Sequence, residues 1–172
     1  MTARFIRLAD YAVAAGAEAM LFTCSAFGPC IDAVKAMHAG IPVLKPKEAM
    51  IDEASALALD RAGAIGLLAS FAPTLAGMPQ EFPPDVPLRL AMAEGALAAL
   101  ERGDIQAHDD AVVAAARTLA AQGSVAIALA QFSLARAAPG VAAACSLPVL
   151  TSVDSAVRRL RERCAARSGP GD

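Results

Sequence analysis

The sequence predicts an α/β fold with parallel sheets covered on both faces by helices. Short apolar runs alternate with longer helix-patterned segments along the chain, and this alternation is the signature of parallel strands joined by crossover helices. Glycines and prolines stand at the ends of these segments, where the backbone must turn. Of the 172 residues, 56% are hydrophobic and 19% charged, which is enough apolar material for one domain or two small lobes and rules out a disordered chain.

Taken in order, residues 2–15 pattern as a helix ending at Gly16. A short buried strand covers 20–23, beginning near Ala17. Residues 29–39 form a helix: Pro29 suits its first turn, Gly40 can end it, and Ile31, Val34 and Met37 are expected near one face. The next strand is 41–44, with Pro42 near its start. A helix over 48–62 is closed by Gly63, and a strand runs 64–69. A loop and helix follow to about Gly77, then a proline-rich connection over 81–87 and a strand at 88–92. Helices at 94–102 and 104–121 lead to Gly123 and a buried strand at 125–130. A weaker helix over 133–144 is interrupted by Pro139-Gly140. The last strand is 147–150, the last helix 152–167, and the tail after it is loose.

Composition also excludes function classes. A net charge of −2, no Trp and 4% aromatics leave little for a nucleic-acid surface, which needs basic residues beside stacking rings. Two stretches without charges, 62–80 and 118–135, are broken by Gly, Pro and Gln, and read as helix–strand passages rather than membrane spans. Asp10 and Glu18 interrupt any leader-like apolar stretch, so the expected compartment is the cytoplasm. The four cysteines, Cys24, Cys30, Cys145 and Cys164, contain no CxxC pair and match no zinc pattern.

In parallel α/β sheets, ligands sit at the carboxyl ends of strands. The segment Phe22-Thr23-Cys24-Ser25-Ala26-Phe27-Gly28-Pro29 runs from a strand through a cysteine and small residues into a helix. A helix N-terminus lowers a nearby thiol's pKa and can hold a carboxylate, so Cys24 there can act as a base toward a carbon acid. The alternative is a small cysteine packed at a strand end.

Thr23-Cys24-Ser25 resembles the first cysteine segment of the aspartate/glutamate/hydantoin racemase superfamily. The strand Ile41-Pro42-Val43-Leu44, the helix start Glu48-Ala49-Met50, Gly66-Leu67-Leu68-Ala69-Ser70-Phe71, Ala128-Leu129-Ala130-Gln131-Phe132-Ser133 and Leu147-Pro148-Val149-Leu150-Thr151-Ser152 follow in the family's order. The resemblance spans about residues 17–160. It implies two pseudo-symmetric Rossmann-like lobes, the first from 1–62 with 151–172 and incomplete, the second from 63–150. It also implies cofactor-independent chemistry on a small carboxylate or amino-acid-derived substrate, with a cysteine from each lobe facing the reacting carbon. Cys24 would be the base, and Thr23, Ser25, Ser70, Thr74, Gln131 and Ser133 the polar contacts to substrate. The chain departs from the pattern twice. Gln131 stands where the family carries its second cysteine, and Gln has no acid–base function near neutral pH; related one-cysteine enzymes decarboxylate malonates. Family members also carry about one more β-α-β unit before the first cysteine. Without it, sheet edge and apolar surface are left open, and a homo-oligomer is expected.

Other polar residues read as structural. His38 suits a helix C-terminus, and His108, beside Asp109 and Asp110, reads as solvated surface. Asp52 and Glu53 fit the outer face of their helix. Lys45 and Lys47 either steer an anionic substrate or simply solvate a loop. The Arg158, Arg159, Arg161 and Arg163 cluster reads as a solvated, dipole-favoured helix end.

Overall fold

The computed structural model describes residues 1–24 and 27–167. The chain divides into two compact units, Met1–Ala49 with Asp154–Asp172, and Met50–Val153.

The first unit contains α1 (Thr2–Ala14), β1 (Met20–Leu21), α2 (Gly28–Met37), β2 (Val43–Leu44) and most of α8 (Ser152–Arg167). The two strands pair in parallel, Met20 with Val43 and Leu21 with Leu44. Both are shorter than expected: β2 starts only after Pro42, which has no N–H for the ladder, and β1 ends at Leu21. The Pro42 carbonyl still accepts the Met20 N–H at 2.8 Å, and Leu44 accepts the Phe22 N–H at 3.1 Å. Ala9, Ile31, Val34 and Val43 form the core, with Phe5, Ile6, Met20, Phe22 and Ile41 packed against it. Met37 does not share the inner face of α2 and is 65% exposed. A spacing of i, i+3, i+6 falls short of two full turns, so the third residue rotates away from the first.

The second unit holds the larger sheet. After α3 (Glu48–Asp60) come β3 (Ala64–Ala69), α4 (Ala72–Gly77) with a 3₁₀ turn at Met78–Glu81, β4 (Leu88–Met92), α5 (Ala96–Glu101), α6 (Ile105–Ala121), β5 (Ser124–Leu129), a second 3₁₀ turn at Phe132–Ala137, α7 (Ala138–Cys145) and β6 (Val149–Thr151). The strand order is β4-β3-β5-β6, and every pair is parallel. The central strands are apolar on both faces because helices cover both. Ile65, Leu67 and Ala69 join Ala126, Ala128 and Ala130 against Met50, Ala54 and Ala58 of α3 and against Phe82. On the other face Leu68, Ile127 and Leu129 pack on Val112, Ala116 and Leu119 of α6 and Val141 of α7.

Some boundaries differ from expectation for local reasons. Helix α5 starts at Ala96, since Gly95 takes a left-handed φ of 77° that no helix interior accommodates. Pro139 does not interrupt a helix; it lies in the first turn of α7, and the residues before it wind as 3₁₀. The last strand begins at Val149 rather than at Leu147. The uncharged stretches resolve into strand and helix passages, and among the described residues no helix is long and apolar enough to cross a membrane.

The end of α3 reverses a simple expectation. Ala62, not Gly63, takes the left-handed conformation, with φ 48°. Gly63 is needed for space: a Cβ there would lie 2.2 Å from Val125 Cγ1. Gly63→Ala is therefore expected to destabilise by about 1–3 kcal/mol through overpacking. Ala62→Gly is expected to stabilise by roughly 1 kcal/mol by relieving the left-handed backbone. Urea denaturation of the two variants checks both signs.

Candidate functional site

Parallel pairing gathers the carboxyl ends of the strands at one end of each sheet, so the candidate residues fall into one group per unit.

In the first unit, Thr23 and Cys24 follow β1, and both are exposed. Helix α2 begins at Gly28, with Pro29 in its first turn. Ser25 lies outside the described residues. The segment is held from both sides by one ring of α1. Phe5 stacks on Phe22 with centroids 5.5 Å apart, and packs tilted on Phe27 at 5.2 Å. Phe22 precedes Cys24 and Phe27 follows it, so α1 clamps the cysteine segment at its two ends; each aromatic pair is worth about 0.5–1.5 kcal/mol beyond burial. Beyond β2, Lys45 is paired with Asp32 at 2.8 Å, and Lys35 pairs with Glu48. His38 closes α2, and its ring nitrogen lies 3.0 Å from Asp10.

In the second unit the structure brings two expected residues together. Ser70 follows β3 and Gln131 follows β5. The Ser70 N–H donates to Gln131 Oε1 at 2.7 Å and the Ser70 hydroxyl to the same oxygen at 3.3 Å. A backbone N–H can only donate, so the amide oxygen must face it, and this fixes which way the Gln131 amide is turned. Ser70 is buried and Gln131 half-buried. Thr74 in α4 and Ser133 in the 3₁₀ turn are half-buried and are not hydrogen-bonded to this pair.

His108 corrects the expectation of a solvated residue: it is 0% exposed. It lies on the same stripe of α6 as the buried Val112, Ala116 and Leu119, a helical periodicity that outweighs the acidic neighbours in sequence. Its Nδ1 is 2.7 Å from Asp109 Oδ1. A carboxylate accepts only, so Nδ1 carries the hydrogen in this contact. Arg136 Nε donates to both oxygens of Asp109, at 3.0 and 3.3 Å. Sequence reading missed this His108–Asp109–Arg136 chain, whose members come from α6 and the turn after Gln131.

Cys145 ends α7, before β6, and so lies toward the amino ends of the strands, away from Ser70 and Gln131. Burial pushes its thiol up from the ordinary value, with Arg117 pulling partly the other way. Among the described residues no cluster of His, Cys, Asp and Glu is suited to a metal ion.

A family model described as Asp/Glu/hydantoin racemase matches residues 2–160. Sequence comparison with curated proteins gives no match. Among solved structures, an aspartate racemase homologue from Pyrococcus horikoshii superposes with a TM-score of 0.69 at 18% identity, covering 95% of this chain and 74% of that one. An arylmalonate decarboxylase gives 0.63 at 17% identity, covering 99% and 77%. A glutamate racemase from Bacillus anthracis gives 0.60 at 11% identity, covering 98% and 67%. At these identities the structural matches establish a shared fold.

Burial alone would raise the pKa of Asp109, but hydrogen bonds from His108 and Arg136 outweigh it and hold the carboxyl below its ordinary value. A lowered folded pKa adds stability above the unfolded carboxylate pKa, and that stability is lost as pH falls through the folded value. Asp109→Asn is therefore expected to cost about 1–2 kcal/mol at pH 7, with the gap to the parent protein closing below about pH 4. Thermal denaturation followed across pH checks this.

Proposed function

The chain belongs to the Asp/Glu/hydantoin racemase family, and from that premise we propose that it is a cofactor-independent, racemase-like isomerase acting at a carbon next to a carboxylate or hydantoin carbonyl. Cys24 is the base. Its place supports the role: an exposed thiol three residues beyond a parallel strand, in a segment clamped by Phe5 on both sides. As the thiolate, Cys24 removes the α-proton; the electron pair passes into the adjacent carbonyl, and an enolate forms. The thiol then returns a proton to the carbon. Thr23, Ser25, Ser70, Thr74, Gln131 and Ser133 serve as polar substrate contacts. The protein works in the cytoplasm as a homo-oligomer, on a small carboxylate or amino-acid-derived substrate.

A second reading of the same residues has one observation in its favour. Gln131 spends its amide oxygen on Ser70 and holds no transferable proton. One thiol then supplies one proton, which suffices for decarboxylation of a malonate-like acid. The carbon–carbon bond breaks, carbon dioxide leaves, the electron pair stays as an enediolate, and the Cys24 thiol protonates it. The name of the arylmalonate decarboxylase among the structural relatives accords with this chemistry.

Proton NMR in heavy water, across a panel of amino acids, hydantoins and aryl-substituted malonates, separates the two. Racemase-like action exchanges the α-hydrogen for deuterium, and chiral chromatography then shows whether configuration is lost. Lyase action releases carbon dioxide and leaves one deuterium on the product. In either case Cys24→Ala is expected to lower the rate by on the order of 10²–10⁴. Full activity in that variant sinks the assignment of Cys24.

A further inference from the structure

A cavity in the first unit lies away from Cys24. It has a volume of about 520 Å³, within the range of small-molecule sites. Its walls come from the end of α2, the connection into β2 and the last turns of α8. β1 and β2 are parallel, and Cys24 follows the carboxyl end of β1, whereas the cavity is lined by Gly40, Ile41 and Pro42 before β2. The cavity therefore opens at the amino end of the strand pair, opposite the candidate catalytic segment, and is a separate site.

Its charged lining is all of one sign. Lys35, Arg163 and Arg167 line it, and no carboxylate does. Lys35 is balanced by Glu48. Arg163 and Arg167 are spaced i, i+4 on α8 and so share a face. Neither has a carboxylate partner among the described residues. The dipole at a helix C-terminus accounts for each cation taken singly. It does not account for two guanidinium groups, neither with a carboxylate partner, opening onto one cavity, where they repel each other and an anion between them relieves the repulsion. Guanidinium groups hold phosphate or carboxylate oxygens by paired N–H donors. Beside them, Ile41 and Pro42 offer an apolar wall.

We infer that this cavity binds a small phosphate monoester, its dianion held by Arg163 and Arg167 and its organic part resting on Ile41 and Pro42. Two guanidinium groups match a doubly charged group better than a single carboxylate, and the apolar wall favours an organic phosphate over the bare ion. The site regulates or tethers rather than catalyses, because no nucleophile or titrating base lines it.

Calorimetric titration of the full chain with phenyl phosphate, inorganic phosphate and benzoate tests this. Phenyl phosphate is expected to bind most tightly, and its affinity to fall with added salt. The exposed substitutions Arg163→Gln and Arg167→Gln, each with its fold checked by circular dichroism, are expected to weaken it about tenfold apiece, while Cys24→Ala leaves it unchanged. Failure of the full chain to bind phenyl phosphate, affinity equal to benzoate, or affinity unaltered in both arginine variants overturns the inference. Loss of binding in Cys24→Ala alone places the phosphate at the catalytic segment and overturns it equally.

Discussion

Every neighbouring pair of strands in both units runs parallel, so each strand must return through a crossover before the next begins. Most of the architecture follows from that obligation. Helices must cover both faces of the larger sheet, and β3 and β5 must therefore be apolar at nearly every position, as Ile65, Leu67, Leu68 and Ala126 to Leu129 are. Alanine fills two of the six β5 positions without demanding space, and larger side chains from α3 and α6 complete the packing. The same obligation aligns all carboxyl strand ends, which is why Ser70 and Gln131, far apart in sequence, meet closely enough to hydrogen-bond.

The two groups of strand-end residues differ in chemical character. The first unit offers an exposed sulfur on a segment pinned by rings. The second offers a neutral amide fixed by a backbone donor, and elsewhere in the same unit a buried imidazole and a carboxylate on α6 joined to a guanidinium of the 3₁₀ turn. An amide can orient a substrate or stabilise developing charge by hydrogen bonding, but cannot exchange protons with it. The two segments are thus chemically unlike: one carries a group that can exchange protons, the other a group that can only hydrogen-bond.

Much of the fold was legible in the sequence because its signals are local. Apolar runs bounded by Gly and Pro mark the strands, and the helix after Cys24 opens with Gly28-Pro29 as patterned. What was not legible depends on partners distant in sequence. The acidic neighbours of His108 suggested surface, yet its helical register with Val112, Ala116 and Leu119 carries it inside. That register was the available signal, and the adjacent charges masked it. Nothing local marks Phe5 as the clamp of Phe22 and Phe27, since the ring contacts join separate elements. Gln131 was visible as a departure from a family pattern. Its bond to Ser70 was not, because it exists only when β3 and β5 lie side by side.

The turn after α3 shows how order can matter where composition does not. Ala62 occupies the backbone geometry that suits glycine, while Gly63 occupies the place where a methyl group has no room beside Val125. Transposing the two residues would leave the composition, charge and hydropathy of the chain untouched. It would ease the backbone at one position and force a collision at the next. The two positions therefore accept change in one direction only at no steric cost: glycine fits at 62 with 63 retained, whereas alanine at 63 requires the side chain at 125 to shift or to be smaller.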